Sequence, residues 1–178
     1  MILDQQVPAL RSGRTPVFAL LFDMNLLWER YVAALFRRCR APGLEVSTQE
    51  SRAFWKPAGA SVRTVRPDIV VRHGKQVQLI ADTKWKLLDQ AAPSDADLQQ
   101  MFAYNELFGA PRAVLVYPTS GGVARRGEYA GCGHGCEVVE LGVFGDGGID
   151  TAATQRQVAG LLPQPSAPAH VGNAGIGS

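Results

Sequence analysis

The stretch DIVVRHGKQVQLIADTK, residues 68–84, constrains the fold more than any other part of the chain. Two runs of aliphatic and β-branched residues flank a turn signal at residues 73–75, and this pattern predicts a β-hairpin. A three-residue turn places Arg72 opposite Gln76. Because side chains alternate along a strand, even-numbered residues then share a mostly polar face and odd-numbered residues an apolar one. The apolar face consists of Ile69, Val71, Val77, Leu79 and Ala81.

Two acids and a lysine, Asp68, Asp82 and Lys84, fall on the even-numbered face at one end of this hairpin. In the predicted register Asp68 lies opposite Ile80, so Asp82 is its diagonal neighbour, with Cα atoms roughly 7 to 8 Å apart. Two carboxylates so placed can bind one hard cation such as Mg²⁺, which prefers oxygen ligands. Lys84 projects to the same side, roughly 6 to 7 Å further along the strand.

These residue types suit hydrolysis of a phosphodiester bond. A bound cation polarises the phosphoryl oxygen and acidifies a water molecule, while the lysine orients or deprotonates the nucleophile. To act as a base, Lys84 needs a pKa that is lowered by desolvation or by the nearby cation. An ordinary cross-strand ion-pair cluster is the competing interpretation of the acid-x-lysine spacing.

Two helices are predicted, one before and one after the hairpin. Asp23 is the predicted N-cap of the first helix, which runs to about Arg38. Ser94 is the predicted N-cap of the second, with Asp97 three residues on, as in a capping box, and Gly109 as its stop.

Further strands are predicted around the hairpin. The run AVLVYP, residues 113–118, is fully apolar and is typical of a strand buried on both faces. Weaker patterns predict strands at residues 61–66 and around residues 137–143. The elements together predict an α/β fold in which helices flank a mixed sheet.

Composition predicts one domain with irregular ends. Residues 1–16 have two prolines and no clear period, so we interpret them as an irregular lead-in that could be the remnant of a missing N-terminal domain. Residues 17–160 form the predicted folded domain. Residues 161–178 are rich in Pro, Ala, Gly and Ser, which bury too little apolar area to offset the ordering entropy, so we predict a flexible tail.

Hydropathy, cysteine count and net charge limit the classes of protein to which the chain can belong. No apolar run approaches the roughly 20 residues that cross a bilayer, and the N-terminus lacks the pattern of a secretory signal. We therefore expect a cytoplasmic protein with no membrane partner. An odd count of three cysteines argues against a disulfide framework. A net charge of +2 is too small to indicate a nucleic-acid partner by itself.

Three motifs in this order resemble the PD-(D/E)xK nuclease superfamily. They are Pro67-Asp68, Asp82-Thr83-Lys84 and, on the second helix, Gln100-x-x-x-Tyr104. The last is similar to the helix motif of RecB-type nucleases, and its two residues are neighbours on one helix face. The resemblance implies a restriction-endonuclease-like core with the element order α-β-β-β-α-β.

Over about residues 17–120 the chain resembles, more specifically, the McrC-type nuclease subunits of modified-cytosine restriction systems. The segments that carry this likeness are LLFDMNLLWERYVAALF, RPDIVV, IADTKWK and DLQQMFAYNELF. The resemblance implies a DNA endonuclease that uses Mg²⁺, or alternatively Mn²⁺, to cut DNA marked by 5-methylcytosine. It also implies an oligomeric complex with a GTP-driven motor subunit. The sequence has no G-x-x-x-x-G-K-[ST] loop, so we expect the motor and not this chain to bind the nucleotide.

The resemblance also implies roles for the metal-site residues. Asp68 and Asp82 would bind the metal together with the backbone carbonyl of Thr83, and Lys84 would be the catalytic lysine. Glu29 matches a helix acid that often completes the metal site, and a solvated helix flank is its alternative interpretation.

Gln100 and Tyr104 would support the site or hold a substrate phosphate, although Tyr104 could equally be a core tyrosine. The cluster Cys132-Gly-His134-Gly-Cys136 has residue types that bind zinc, but its spacing is wrong for a zinc knuckle and no fourth ligand is evident. We interpret it as a glycine-rich loop between strands. Two functional alternatives stay open: a stand-alone RecB-like repair nuclease, and a non-catalytic remnant that only binds DNA or a partner.

Overall fold

The computed structural model describes residues 23–88, 92–119, 123–145 and 148–164, whose centre is a six-stranded sheet. The helices are α1 (Met24–Cys39), α2 (Asp95–Phe108) and α3 (Thr151–Leu161). The strands are β1 (Leu44–Thr48), β2 (Arg52–Trp55), β3 (Arg63–Val65), β4 (Ile69–His73), β5 (Gln76–Thr83), β6 (Ala113–Thr119), β7 (Val123–Glu128), β8 (Gly135–Gly142), β9 (Phe144–Gly145) and β10 (Gly148–Ile149). The strand order in the main sheet is β1-β4-β5-β6-β8-β7, and β2 with β3 and β9 with β10 form two small sheets.

The main sheet mixes parallel and antiparallel pairs. Strand β6 runs parallel to both of its neighbours, β5 and β8, whereas the pairs β1–β4, β4–β5 and β7–β8 are antiparallel. The sequence-based prediction of an α/β fold with a mixed sheet flanked by helices is therefore confirmed. Strand β6 is buried from Ala113 to Tyr117, as its unbroken apolar run predicts.

Both predicted helices begin after their predicted N-caps, α2 ends at Gly109 as predicted, and α1 ends at Cys39, one residue beyond the predicted end. The carboxylate of Asp23 accepts hydrogen bonds from two backbone N–H groups in the first turn of α1. The Ser94 hydroxyl accepts from the N–H of Asp97, and Gly109 ends α2 in the left-handed conformation with a φ of 60°.

The core has two parts, one on each face of the sheet. Ile69 and Leu79 of the hairpin pack with α1 and α3, while Val70 and Ile80 pack with α2, and all four side chains are fully buried. The even-numbered face is therefore apolar at its centre and polar only at its ends. The predicted mostly polar face is wrong because α2 covers it.

The hairpin turn is shorter than the sequence predicts. His73 pairs with Gln76, so the loop contains only residues 74–75, and Gly74 reverses the chain with a φ of 57°. The predicted pairing of Arg72 with Gln76 is wrong, because Arg72 pairs with Val77. The side chain of Val77 packs on the α2 face and not on the predicted odd-numbered face.

The shorter turn moves the pairing by one residue from the predicted register. A β-bulge at Gln78 moves it by one more, so that Val70 pairs with Ile80. The predicted position of Asp68 opposite Ile80 is therefore wrong by two residues. Continued by one pair, the observed register places Asp68 directly across from Asp82 and not diagonal to it. Because the total shift is even, the two acids stay on one face of the sheet, as predicted.

Other elements also differ from the prediction. The strand expected at residues 61–66 is β3, and it pairs with β2 in a separate small sheet. The strand beside the hairpin is instead β1, which sequence patterning missed. Helix α3 was not predicted, and Leu161 and Leu162 at its end are buried, so the expected tail cannot begin at residue 161.

The predicted lead-in at residues 1–16, the apolar run up to residue 22 and the tail from residue 165 lie outside the described residues. Within the described ranges, no helix has the length and apolar character needed to cross a bilayer.

Candidate functional site

A polar cleft of about 340 Å³ lies where β5 ends, between the first turns of α1 and the middle of α2. Its lining includes all of the acids and the lysine that the hairpin pattern singled out. The lining residues are Asp23, Asn25, Leu26, Glu29, Arg66, Asp68, Asp82, Thr83, Lys84 and Gln100.

Asp68 is fixed by the end of the neighbouring strand. The backbone N–H and the side-chain hydroxyl of Thr83 both donate to Oδ2 of Asp68, each at 2.7 Å. Asp68 comes just before β4 and Thr83 ends β5, so the antiparallel pairing of the hairpin brings them together. Both bonds fall on one oxygen, which orients Oδ1 for another partner.

Asp82 is the buried acid of the cleft, with only 3% of its surface exposed. Its Oδ2 lies 2.7 Å from Nζ of Lys84. Burial and the charge of Asp68 raise the pKa of Asp82 to about 6, against the opposing effect of the Lys84 ammonium. Two carboxylates thus share a small volume in which one of them is largely desolvated.

Lys84 is held by groups from both the sheet and α2. Its ammonium donates to Oε1 of Gln100 at 2.7 Å, in addition to the Asp82 pair, and lies 3.5 Å from Oδ1 of Asp97. Burial acts to lower the pKa of Lys84, but the charges of Asp82 and Asp97 outweigh it and the pKa is raised. These charges favour the ammonium form of Lys84, and the predicted base role requires a cation at Asp68 and Asp82 to lower its pKa.

The motif on α2 connects the cleft to the core. Nε2 of Gln100 donates to the hydroxyl of Tyr104 at 2.7 Å, and that hydroxyl donates to the backbone carbonyl of Arg66 at 3.2 Å. Tyr104 is 3% exposed, and burial, followed by the charge of Asp82, raises its pKa to about 12. Tyr104 is thus a core residue that also hydrogen-bonds Gln100, and its role in the site stays a prediction.

Glu29 of α1 reaches the same cleft. Its Oε1 accepts a hydrogen bond from Nε2 of Gln49 at 2.5 Å. Burial, and next the charge of Asp68, raises the pKa of Glu29. The structure therefore places Glu29 in the same cleft as the two acids, hydrogen-bonded to a neutral amide, while the charges of Arg66 and Arg30 partly oppose the rise in its pKa.

One backbone carbonyl anchors two sides of the cleft. The oxygen of Val116 in β6 accepts the N–H of Lys84 at 3.0 Å and the indole Nε1–H of Trp28 at 3.2 Å. Trp28 precedes Glu29 in α1, so this carbonyl ties helix α1 and the end of β5 to the same strand.

Sequence reasoning missed the part that Asp97 plays. It is 7% exposed, and its carboxylate contacts four side chains, Ser94, Lys84, Lys86 and Tyr117. The capping pattern at the start of α2 explained its presence without reference to a site. One sequence feature could have indicated that Asp97 faces the cleft: it lies three residues before Gln100, on the same helix face.

The Cys132–Cys136 segment does not form a converging cluster. Cys132 is exposed, whereas Cys136 is buried, and burial raises the pKa of the Cys136 thiol to about 12. The ring of His134 contacts Glu106 and packs against Phe102. Cys136 is therefore a protonated core thiol and His134 part of a surface aromatic cluster.

The donor set of the cleft fits a hard divalent cation. Among the residues that the structure describes, no group of three His, Cys, Asp or Glu side chains is arranged to hold a metal ion. Mg²⁺, however, needs only one or two carboxylates and retains several waters. The carboxylates of Asp68 and Asp82, with the adjacent carbonyl of Thr83, are oxygen donors of this kind.

Comparisons with known proteins give matches of two kinds, a family model and solved structures. A family model described as "McrBC 5-methylcytosine restriction system component" matches residues 1–118. A chain in a solved structure from Thermococcus gammatolerans, described as a tetradecameric assembly of McrB AAA+ hexamers with bound McrC, is similar with a TM-score of 0.61 and 21% identity. That match covers 78% of this chain and 33% of the other, so this chain spans about a third of its length. No curated protein matches.

Proposed function

The chain belongs to the McrBC 5-methylcytosine restriction system component family, and from this premise we propose that it is a Mg²⁺-dependent DNA endonuclease module. Its role is to cleave DNA within a modification-dependent restriction complex. The observation that carries the proposal is the buried Asp82 carboxylate, 2.7 Å from the Lys84 ammonium and close enough to Asp68 to raise its pKa. A buried acid repelled by a second acid is stabilised by a bound cation.

Each residue of the cleft has a role in this proposal. Asp68 and Asp82 hold the cation, with the carbonyl of Thr83 as a further oxygen donor. When bound, Mg²⁺ polarises the scissile phosphate and lowers the pKa of a water nucleophile, and Mn²⁺ can serve the same function. Lys84, as an ammonium, attracts and orients the phosphate and stabilises the charge that develops on its oxygens. Gln100 keeps the Lys84 side chain extended toward that phosphate.

Glu29 has a more limited role in the proposal. Its carboxylate faces the same cleft but already accepts a hydrogen bond from Gln49. We assign it to the outer coordination sphere, where a carboxylate orients metal-bound waters. This assignment agrees with its raised pKa, which burial and Asp68 cause.

A separate motor subunit is the proposed partner. The sequence has no phosphate-binding G-x-x-x-x-G-K-[ST] loop, so GTP hydrolysis would take place on another chain. The similar Thermococcus gammatolerans assembly contains McrB AAA+ hexamers with bound McrC, which supports a partner of this class. The restriction complex would thus combine movement along DNA by the motor with cleavage by this chain.

Metal binding tests the site without a need for the partner. Isothermal titration of Mg²⁺ and Mn²⁺ into the purified chain is expected to show binding that Asp82→Asn weakens by at least about tenfold. Asp95→Asn is the matched control, because Asp95 is an exposed acid of α2 that does not line the cleft. Equal affinity for the wild type and Asp82→Asn would contradict the site assignment.

Cleavage tests the activity. Methylated and unmethylated plasmids are incubated with Mg²⁺ and with or without the GTPase subunit of the same system. Asp82→Asn and Lys84→Ala are expected to lower cleavage by about 100-fold or more, whereas Lys56→Ala, an exposed lysine outside the cleft, leaves it unchanged. Cleavage that ignores both methylation and the partner would favour a stand-alone repair nuclease, and metal binding without any cleavage would favour a non-catalytic role.

A further inference from the structure

We infer that Asp97 is a positioning residue that holds the ammonium of Lys84 in place for the reaction, an inference that rests on the proposed nuclease function. Asp97 lies in the first turn of α2, and its Oδ1 is 3.5 Å from Nζ of Lys84. A surface capping residue needs no burial, yet Asp97 is only 7% exposed. An acid kept this far from water requires charged and hydrogen-bonding partners, and Lys84 is one of them.

The two oxygens of Asp97 have different partners. Oδ2 lies 2.6 Å from Nζ of Lys86 and accepts hydrogen bonds from the hydroxyls of Ser94 at 2.7 Å and Tyr117 at 3.1 Å. These contacts come from the helix, from β6 and from the segment after β5. Three anchors on Oδ2 fix the carboxylate, which leaves Oδ1 directed at Lys84.

Lys84 needs a second carboxylate nearby because a cation bound in the cleft would weaken its attraction to the first one, Asp82. Asp82 is the nearest acid to Lys84, but it is also one of the two carboxylates that would hold the cation. Once the negative charge of Asp82 is shared with a divalent ion, its attraction for the ammonium falls. Gln100 offers only a neutral amide oxygen. Asp97 is then the carboxylate near Lys84 that is not engaged by metal, and it keeps the ammonium from turning toward solvent.

A positioning role for Asp97 differs from that of a purely structural cap in its effect on Lys84. A cap contributes to the stability of α2 and has no effect on the lysine, whereas a positioning residue changes the behaviour of Lys84 itself. Two readouts report on that behaviour. One is the turnover number kcat relative to the KM for DNA, and the other is the rate at which an amine-reactive reagent labels Lys84 in the metal-free chain, followed by mass spectrometry.

Asp97→Asn is the main variant. It keeps the shape of the side chain and removes the charge, and we expect kcat to fall by about 10- to 100-fold, a typical cost of losing an outer-shell partner, with little change in KM. We also expect labelling of Lys84 to accelerate several-fold relative to the exposed Lys56 as internal reference. Asp150→Asn is the matched control, because Asp150 caps α3 by accepting from the N–H of Ala153 and does not line the cleft, and it should alter neither readout.

The outcomes are distinct. If Asp97→Asn has a kcat and a Lys84 labelling rate within twofold of wild type, the inference is overturned. If the wild type does not cleave DNA at all, the proposed function fails, while faster labelling of Lys84 in Asp97→Asn still supports the contact. Should Asp97→Asn fail to fold, Asp97→Glu replaces it: a changed Lys84 labelling rate in the folded variant supports the inference, and an unchanged rate overturns it.

Discussion

Thr83 donates both its backbone N–H and its hydroxyl to one carboxylate oxygen of Asp68. The two residues lie at opposite ends of the hairpin sequence, and their contact closes it at the cleft. The double hydrogen bond fixes the rotation of the Asp68 carboxylate, which would otherwise be a free side chain just ahead of its strand. Thr83 therefore contributes its side chain to the site. The family resemblance seen in the sequence implied a role only for its backbone carbonyl.

Thr83→Val tests this contribution. Valine keeps the β-branched shape and the backbone N–H but removes the hydroxyl, so Asp68 loses one of its two bonds. We expect the affinity for Mg²⁺ to fall by about tenfold, as for other losses of a group that orients a metal ligand, and the free energy of unfolding to fall by about 1 kcal/mol. Calorimetric titration of Mg²⁺ measures the effect. Thr64→Val, on the exposed strand β3, is the control, and an equal loss of affinity there would point to a general effect of the substitution.

Arg66→Ala is expected to weaken DNA binding through loss of a phosphate contact. Arg66 is exposed, lines the cleft, and precedes the Pro67-Asp68 motif. Loss of one phosphate contact should reduce the slope of log affinity against log salt concentration by about 1. Fluorescence anisotropy with labelled duplex DNA at several salt concentrations measures this slope. Arg156→Ala, an exposed arginine of α3, should leave the slope unchanged.

Tyr104→Phe should destabilise the protein by about 1 kcal/mol, because it removes a hydrogen bond to the carbonyl of Arg66 and one from Gln100. Tyr31→Phe provides a close comparison. The buried hydroxyl of Tyr31 has no hydrogen-bond partner in the described part of the chain, so its removal should be neutral or stabilising. Unfolding by urea gives both free energies. Equal destabilisation in the two variants would mean that the Tyr104 hydroxyl contributes nothing specific.

Asp97 should make the stability of the protein depend on pH. Burial acts to raise its pKa, but the hydrogen bonds from Lys86 and Ser94 and the charge of Lys84 outweigh it and hold the pKa at about 2. The pKa in the unfolded chain is about 3.9, so the ionised carboxylate stabilises the fold above pH 4, by about 2 kcal/mol, and this contribution is lost as the pH falls toward 2.

The comparison of wild type with Asp97→Asn isolates this effect. The difference in unfolding free energy is expected to be largest at neutral pH and to shrink between about pH 4 and pH 2. Denaturant titrations across that range measure it. Gln99→Ala, at an exposed neutral residue of the same helix outside the cleft, is the control and should show no pH-dependent difference. A difference for Asp97→Asn that stays constant with pH would contradict the assigned ion pairs.

The sequence predicted which residues meet in the cleft better than it predicted how the strands are paired. Side-chain alternation depends only on even and odd spacing, so an error of two residues left Asp68 and Asp82 on the same face. The bulge at Gln78 has no sequence signal of its own and could not be anticipated. Local capping patterns located α1 and α2 because the residues that decide a helix end are adjacent in sequence.

Tertiary contacts explain the remaining errors. Asp97 fits a capping pattern completely, and its spacing from Gln100 indicates at most that it faces the cleft. The approach of Lys84, just after β5, and of Tyr117 in β6 depends on tertiary structure. Helix α3 has few strongly apolar residues, and its buried residues, such as Val158, are recognisable only once the sheet that they cover is known. Strand β1 shows a similar problem, because Leu44 is its only buried residue.

The carbonyl oxygen of Val116 has an implication for how the sequence can vary. Because the acceptor shared by Lys84 and Trp28 belongs to the backbone, any side chain that preserves strand β6 preserves the acceptor as well. The two donors differ in this respect. The N–H of residue 84 belongs to the backbone and is present with any side chain other than proline, whereas the indole N–H at residue 28 requires tryptophan. Substitution at residue 116 should therefore keep the acceptor and cost only core packing, because the Val116 side chain is fully buried. Substitution at residue 28 should also remove a donor, although Trp28 does not line the cleft.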